Sequence, residues 1–516
     1  MSKQVEPAEE FDDSSAEPGV WRYAMARRVS VIVDAEDYFA LMQDAMLRAR
    51  QRILLISWDF DTRIHLIRGR RWWQKGRARQ YPSRLGSFMV WLKRHRKDLD
   101  IRILTWGFGF LIFLTRGAMV FDLIRWGINR RIDFKLDSVH PIGCSHHQKI
   151  AVIDDALAVC GGIDMTHARW DTRLHEPADP RRSGPDGKLH GPWHDLTMMM
   201  EGPVACELGV LGRDRWRRAG GKPLEPARPA EHDVWPEALV PQFENVEVGI
   251  ARTRAEYNGS PGVHEIEELF LQHIARAKRF LYIENQYFAS RMISEALAAR
   301  LQEEDPPEIV VVHPLSANGW AEAHAMDPAR DGLVRVLQEL DSHGRFHIYI
   351  ARSGNETIYV HAKLLIVDDE ILRVGSANFN NRSMRLDSEC DVFIDCARPA
   401  NEGVQENIRA LRYSLLAEHC GLSEDEVGPL LEEAGGSMAE MIARLGGGRR
   451  LRLEPFVPRK LDEIERQIVD NELLDPEDPS MMFHPAKRGR GLFRPGSLLG
   501  RAKRKLDALD RRRRKR

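Results

Sequence analysis

The sequence is poor in the features that mark export, disulfide scaffolding and membrane passage. Its six cysteines (Cys144, Cys160, Cys206, Cys390, Cys396 and Cys420) are scattered over 516 residues without a C-x-x-C pair. That spacing excludes a disulfide framework and points to reduced, buried thiols. No run approaches the roughly 20 apolar residues that a membrane-spanning helix needs. The strongest candidate, residues 106–114 (WGFGFLIFL), is stopped by Thr115 and Arg116. It reads first as a buried strand or helix and second as a loop that touches lipid. The start, MSKQVEPAEEFDDSS, has neither the basic nor the apolar region of a secretory signal, so a cytoplasmic location, or one peripheral to the cytoplasmic membrane, is expected. Metal-ligand spacing is also scarce. His146 and His147 have no second His/Cys/Asp cluster to complete a site, and neither a metal nor another cofactor is expected.

Net charge is nearly absent overall, with 76 basic against 77 acidic residues, but it is unevenly placed. Residues 487–516 hold fourteen Lys/Arg against Asp507 and Asp510, a net of +12, which leaves −13 on the rest of the chain. An acidic body repels a polyanionic duplex, because nucleic-acid affinity comes largely from neutralising phosphates. No specific nucleic-acid partner is expected. The basic tail interleaves Leu492, Phe493, Leu498, Leu499, Leu506 and Leu509 with its charges, a composition suited to an anionic phospholipid surface. No protein partner can be inferred.

The chain looks internally duplicated. Phe39, Met42, Met46 and Ala49 form one helical stripe before the apolar run at 53–56; Ile266, Leu269, Phe270, Ile274 and Ala277 form another before the run at 280–283. ARQRILLISWDF then aligns by eye with AKRFLYIENQYF, and HQKIAVIDDALAVCGGID with HAKLLIVDDEILRVGSAN. Helical patterns alternating with apolar runs predict an α/β fold, each half a mixed sheet flanked by helices. The expected divisions are a disordered acidic segment at 1–18, a first half at 19–220, a Pro-rich linker at 221–241 and a second half at 242–420. A helical acidic region at 421–485 and the basic tail at 486–516 complete the chain.

The chemistry-bearing residues lie in that duplication. H-x-K-x4-D occurs at His147, Lys149 and Asp154 and again at His361, Lys363 and Asp368. Asp164 and Asn378 each stand seventeen positions past their histidine. In an extended strand, H-x-K sets imidazole and ammonium on one face. A phosphodiester resists attack because its anionic oxygens repel nucleophiles, so a site for it needs cations there, a nucleophile on one side and an acid on the other. Two facing H-x-K segments supply all of these.

These paired motifs resemble the phospholipase D superfamily. More narrowly, HHQKIAVIDD, GGIDM, ARWDT with His175, PWHD, IENQYF and VHAKLLIVDD with GSANFNNRSM look like the phosphatidylcholine-type phospholipases D. The likeness runs from about Val31 to Cys396. It implies two homologous lobes with one active site at their interface, and a cofactor-free reaction through a phosphohistidine. His147 would attack phosphorus, while His361 would protonate the leaving alcohol and later activate water. Lys149, Lys363 and Asn378 would hold phosphoryl oxygens. Asp154 and Asp368 complete the catalytic motifs, in the supporting role that the family gives them.

A carboxylate on the far nitrogen of each imidazole would orient it, as in other histidine-based sites. Glu389 is the candidate in the second half and Asp195 in the first, with Asp171 as runner-up. The implied activity is hydrolysis of the distal phosphodiester of a glycerophospholipid, phosphatidylcholine first, to phosphatidic acid and the head-group alcohol, with transphosphatidylation as a side reaction. The alternatives are a cardiolipin synthase-type phosphatidyltransferase and a nuclease of the same superfamily.

Overall fold

The computed structural model describes residues 12–67, 81–107, 118–129, 132–463, 465–466, 475–478 and 491–514. The first half contains β1 (Arg22–Val33), α1 (Ala35–Arg48), β2 (Arg52–Ser57), α2 (Leu85–His95), β3 (Asp100–Trp106), α3 (Ala118–Asn129), β4 (Asp133–Asp137), β5 (Ile150–Ile153) and β6 (Leu157–Gly161). It ends with β7 (Trp193–His194), β8 (Leu196–Glu201) and α4 (Pro203–Arg218). The second half opens with β9 (Phe243–Arg254), β10 (Val263–His264), α5 (Glu265–Arg276), β11 (Phe280–Asn285), α6 (Arg291–Leu301), β12 (Glu308–His313), α7 (Trp320–Leu340) and β13 (Phe346–Ser353). It continues through β14 (Glu356–Thr357), β15 (Tyr359–Val360), β16 (Lys363–Val367), β17 (Ile371–Gly375), α8 (Asn381–Arg385), β18 (Glu389–Asp395) and α9 (Gln405–Cys420). After it come α10 (Glu424–Glu433), α11 (Met438–Leu445), β19 (Leu451–Pro455) and α12 (Leu498–Arg514).

The α/β expectation holds, but the strands join in one sheet rather than one per half. Its order is β4-β3-β2-β5-β6-β8-β1-β9-β18-β17-β16-β11-β12-β13-β19. The junction is the antiparallel pair β1 and β9, two twelve-residue strands registered from Arg22↔Ile250 to Val29↔Phe243. Outward from that pair the two sides repeat one pattern. β2 lies parallel to β3 and antiparallel to β5, as β11 lies parallel to β12 and antiparallel to β16.

Period-two alternation divides each strand between cores. Leu54, Ile56, Leu364 and Ile366 enter a central core with α4 and α9, whereas Ile53 and Leu55 face a core with α1 and α2. Leu365 and Val367 face a third core with α5, α6 and α7. Strands buried on both faces read as unbroken apolar runs, which is why 53–56 and 280–283 stand out in the sequence.

Three peripheral expectations need correction. Residues 12–18, expected to be disordered, are tied down: Asp13 pairs with Arg252 and Arg254, and the Ala16 amide donates to the Val20 carbonyl; residues 1–11 lie outside the described residues. The acidic region after α9 is not only helical, because β19 extends the sheet antiparallel to β13. The turn into that region is made by Gly421, whose φ of 63° suits a residue without Cβ. In the basic tail, Leu492, Leu499 and Ala502 are buried in the third core, with Phe493, Leu498 and Leu506 packed against it. Those apolar residues are therefore committed to the fold, while Arg501, Arg504 and Lys505 face outward.

The 221–241 stretch forms no helix or strand but is strapped to the first half by buried Val234 and Trp235. Of the apolar run 106–114, only Trp106 and Gly107 fall inside the described residues; the rest lies outside them. Among the described residues, no helix is long and apolar enough to cross a membrane.

Candidate active site

Both motif histidines line one cleft of about 350 Å³, together with Lys149, Asp164, Arg169, Asn378 and aromatic walls from Trp58, Trp106, Trp193 and Tyr287. They arrive there by leaning on the opposite half. The His147 amide donates to the Ser388 carbonyl (2.9 Å), just before β18, and the His361 amide donates to the His194 carbonyl (2.7 Å) at the end of β7. β15, which leads into His361, pairs in parallel with β7.

The carboxylates cross in the same way. His147 Nδ1 lies 3.0 Å from each Glu389 oxygen, and His361 Nδ1 lies 2.7 Å from Asp195 Oδ2. Glu389 and Asp195 were both expected from the sequence, but each serves the histidine of the other half. Asp171, the runner-up, instead holds His175 Nδ1 at 2.9 Å. Serine hydroxyls at Ser376 (2.5 Å) and Ser383 (2.7 Å) donate to Glu389. Asp195 accepts from the Leu196 amide (2.8 Å) and sits so close to Gly162 that a Cβ there would be 2.1 Å from Oδ1. The second glycine of the GGID motif is thus required by the carboxylate packed against it.

Electrostatics favour the neutral form of both imidazoles. Burial first, then the Lys149 and Lys363 ammoniums, push His147 well below the ordinary histidine range. Burial, Lys363, Arg169 and Lys149 do the same to His361. With Nδ1 directed at a carboxylate, Nε2 is the ring nitrogen left free to react. Burial raises Glu389 to about 8 and Asp195 to about 7, against the opposing pull of Lys149 and Lys363 respectively. Burial also lowers Lys363 to about 7, with Lys149 adding to the effect and Asp195 resisting it.

The lysines are held for anion binding. Lys149 Nζ donates to the His147 carbonyl (2.7 Å) and lies 3.4 Å from Asp164 Oδ2; Lys363 Nζ donates to Gln286 Oε1 (3.0 Å) and to the His361 carbonyl. Asn378 Oδ1 is buried without a hydrogen-bond partner among the described residues. Asp164 stands in the matching position and also accepts from the Trp58 amide (3.1 Å). One half therefore offers an amide where the other offers a carboxylate.

The motif aspartates are elsewhere. Asp154 accepts from the backbone amides of Arg50, Gln51 and Arg52 at 2.7 to 2.8 Å, and Asp368 from those of Lys278, Arg279 and Phe280 at 2.6 to 2.8 Å. Both occupy a hairpin turn at positive φ (54° and 55°) and fasten it to the start of β2 or β11. Their inclusion among the catalytic residues is corrected: their carboxylates are filled by backbone donors, away from the cleft.

Residues 291–430 match the family model described as Phospholipase D. Curated relatives carry the same name. Phospholipase D alpha 1 of Vigna unguiculata is 24% identical over 403 residues, covering 54% of this chain and 49% of that protein. The protein of the same name from Nicotiana tabacum is 26% identical over 532 residues, covering 76% of this chain and 64% of its own length. These matches support a likeness to the phospholipase D superfamily. The chain spans about half the length of the first of these relatives. Among solved structures, phosphatidylserine synthase of Haemophilus influenzae aligns over 82% of this chain and 96% of its own, at 13% identity and a TM-score of 0.49.

Several residues around the cleft were not assigned roles from sequence. Arg169, in ARWDT, lies over the Trp193 ring at 4.3 Å and faces the cleft. Gln286, in IENQYF, positions Lys363. Ser376 and Ser383 brace Glu389. Their motifs were visible, but single hydroxyls and amides carry no spacing signal that separates bracing from surface polarity.

Proposed function

We propose that this chain is a phospholipase D that hydrolyses the distal phosphodiester of glycerophospholipids, phosphatidylcholine first, at one active site between two homologous lobes. The observation that carries the reading is the crossed bracing of His147 by Glu389 and His361 by Asp195. Each half supplies a histidine and the carboxylate for the other's histidine, so neither half is a complete site.

In this reading the anionic diester binds with its non-bridging oxygens on Lys149, Lys363 and the Asn378 amide. That charge offsets the cationic field that depresses His361, which then carries a proton on Nε2. His147 Nε2 attacks phosphorus, and the bond to the head-group oxygen breaks as His361 gives that oxygen its proton. His361 then takes a proton from water; the hydroxide attacks phosphorus, the phosphorus–nitrogen bond breaks, and phosphatidic acid leaves. An alcohol in place of water yields a phosphatidyl alcohol. Aromatic side chains at Trp58 and Trp106 suit a quaternary ammonium head group.

The reaction would take place at a phospholipid surface, with the outward cations of α12 contributing attraction to anionic lipid. Product analysis tests the reading. Mixed-lipid vesicles should release choline and phosphatidic acid, and form phosphatidylethanol when ethanol is added. Cardiolipin from phosphatidylglycerol, cut DNA, or no product would each contradict it.

A further inference from the structure

Next to the cleft lies a second cluster of buried ionisable side chains that take no part in the proposed reaction. We propose that Asp34, His175, His194 and Glu418 form a structural metal site for a zinc-class divalent cation. The four come from separate parts of the fold: the β1–α1 junction, the loop before β7, β7 itself and the end of α9. All are buried, and one donor atom from each lies within 4.8 Å of the others.

Four donor spacings lie near those of a closed tetrahedral site, the two to Asp34 being measured to different carboxylate oxygens. His175 Nε2 is 3.1 Å from Glu418 Oε1 and 3.5 Å from Asp34 Oδ2; His194 Nδ1 is 2.8 Å from the same Glu418 oxygen and 3.3 Å from Asp34 Oδ1. Ligands at about 2.0–2.1 Å from zinc stand about 3.3 Å apart along the tetrahedron's edges. Asp34 Oδ2 and His194 Nδ1 are buried and make no hydrogen bond among the described residues. His194 Nδ1 is thus close to a carboxylate without being aligned to donate to it, whereas His175 Nε2 is aligned with Glu418 Oε1 in a hydrogen bond that a bound cation would replace.

The surrounding shell supports the same reading. Each histidine places its other ring nitrogen on a carboxylate, His175 Nδ1 on Asp171 (2.9 Å) and His194 Nε2 on Glu284 (2.8 Å). That arrangement fixes the tautomer and leaves the inward nitrogen as a lone-pair donor, the usual support of a metal-bound histidine. Arg182 (3.3 Å) and the Trp193 amide (2.8 Å) hold Asp171, while Arg173 Nε holds Glu418 Oε2 (2.5 Å). A divalent ion would balance the two ligand carboxylates, which otherwise require two buried imidazolium charges.

The four protein donors leave no open position for substrate, so the ion's role is to clamp. The clamp bears on the cleft: Asp34 Oδ1 accepts from the Asp195 amide (3.1 Å), and the His194 carbonyl accepts from the His361 amide (2.7 Å). The metal would therefore hold β7 and the carboxylate that orients His361. This inference is independent of which reaction the cleft performs.

The test is metal content. The full chain, produced with zinc in the medium and dialysed against a chelator, should retain one zinc per chain by plasma mass spectrometry. The Asp34→Asn/Glu418→Gln double variant, which keeps shape and removes both charges, should retain under a tenth of that. Because that variant could fail to fold, the wild-type chain is also unfolded in guanidinium with chelator and refolded with cobalt, which should give the visible bands of tetrahedral cobalt. Absence of stoichiometric metal both as purified and after refolding would overturn the proposal, leaving a proton-filled histidine–carboxylate network. Undiminished zinc in a folded double variant would overturn it as well.

Discussion

Replacing Asp195 by Asn separates the acid from the nucleophile. The carboxylate lies 2.7 Å from His361 Nδ1 and is buried. A hydrogen bond of this kind to a charged group contributes about 1.5–3 kcal/mol, or roughly 10- to 150-fold when the imidazole must carry a proton. An amide NH2 facing Nδ1 also selects the wrong tautomer, an effect that reaches about 10⁴-fold in hydrolases with an equivalent Asp–His pair. The fold should survive, because Asn can still accept from the Leu196 amide as Asp195 Oδ1 does.

Choline release from phosphatidylcholine, which needs a proton, should therefore fall by about 10²- to 10⁴-fold. Phosphatidyl-p-nitrophenol releases a group that leaves without a proton, so its first-turnover burst should persist at nearly the wild-type rate while steady turnover collapses. Rapid-mixing absorbance against choline detection reads both. Equal losses in the choline rate and the nitrophenol burst would refute the assignment of His361 as the acid.

Three further outcomes follow from the geometry. Asp154→Ala and Asp368→Ala each strand three backbone donors; at about 1–3 kcal/mol for a buried unpaired group, each variant should lose at least about 3 kcal/mol by guanidinium unfolding. The kcat of the folded fraction should stay within a few-fold of wild type, and a loss as large as that of His361→Ala would return these aspartates to catalysis. Lys363, lowered to about 7 by burial, holds phosphate as an ammonium below that pH and loses its charge above it. kcat/KM should consequently decline as pH rises through 7, and the decline should leave the measurable range in Lys363→Arg, whose guanidinium stays charged. Leu499, fully buried on α12, should lose about 2–5 kcal/mol of stability on truncation to Ala; no change would mean that the tail does not pack on the third core.

The duplication and the reacting residues were legible because both have a period. The H-x-K-x4-D motif, the apolar runs on both sides of it and the seventeen-residue offset to Asp164 and Asn378 repeat in register, and the sheet repeats with them. What could not be read was which half each group would serve. Glu389 and Asp195 were identifiable as carboxylates at strand starts, but their crossing depends on β7 pairing with β15 and on Ser388 receiving His147, contacts about 170 to 240 residues apart in sequence. The turn aspartates misled in the opposite direction: their fixed spacing from the histidines reflects a hairpin that must be fastened, which yields as regular a pattern as catalysis does. The leucines of the tail matched a membrane-binding composition and a core-packing composition equally well, and only the neighbouring α6 and α7 decide between them.

The account rests on His147 as the residue that bonds to phosphorus. The most direct test is to mix the chain with phosphatidyl-p-nitrophenol, quench at alkaline pH within the burst, digest, and map the adduct by mass spectrometry, using Asp195→Asn, which keeps both histidines, to slow its hydrolysis. The account predicts a phosphatidyl group on His147 in the peptide containing Lys149, and none in His147→Ala. An adduct on His361, or nitrophenol release with no adduct at any stage, would contradict it.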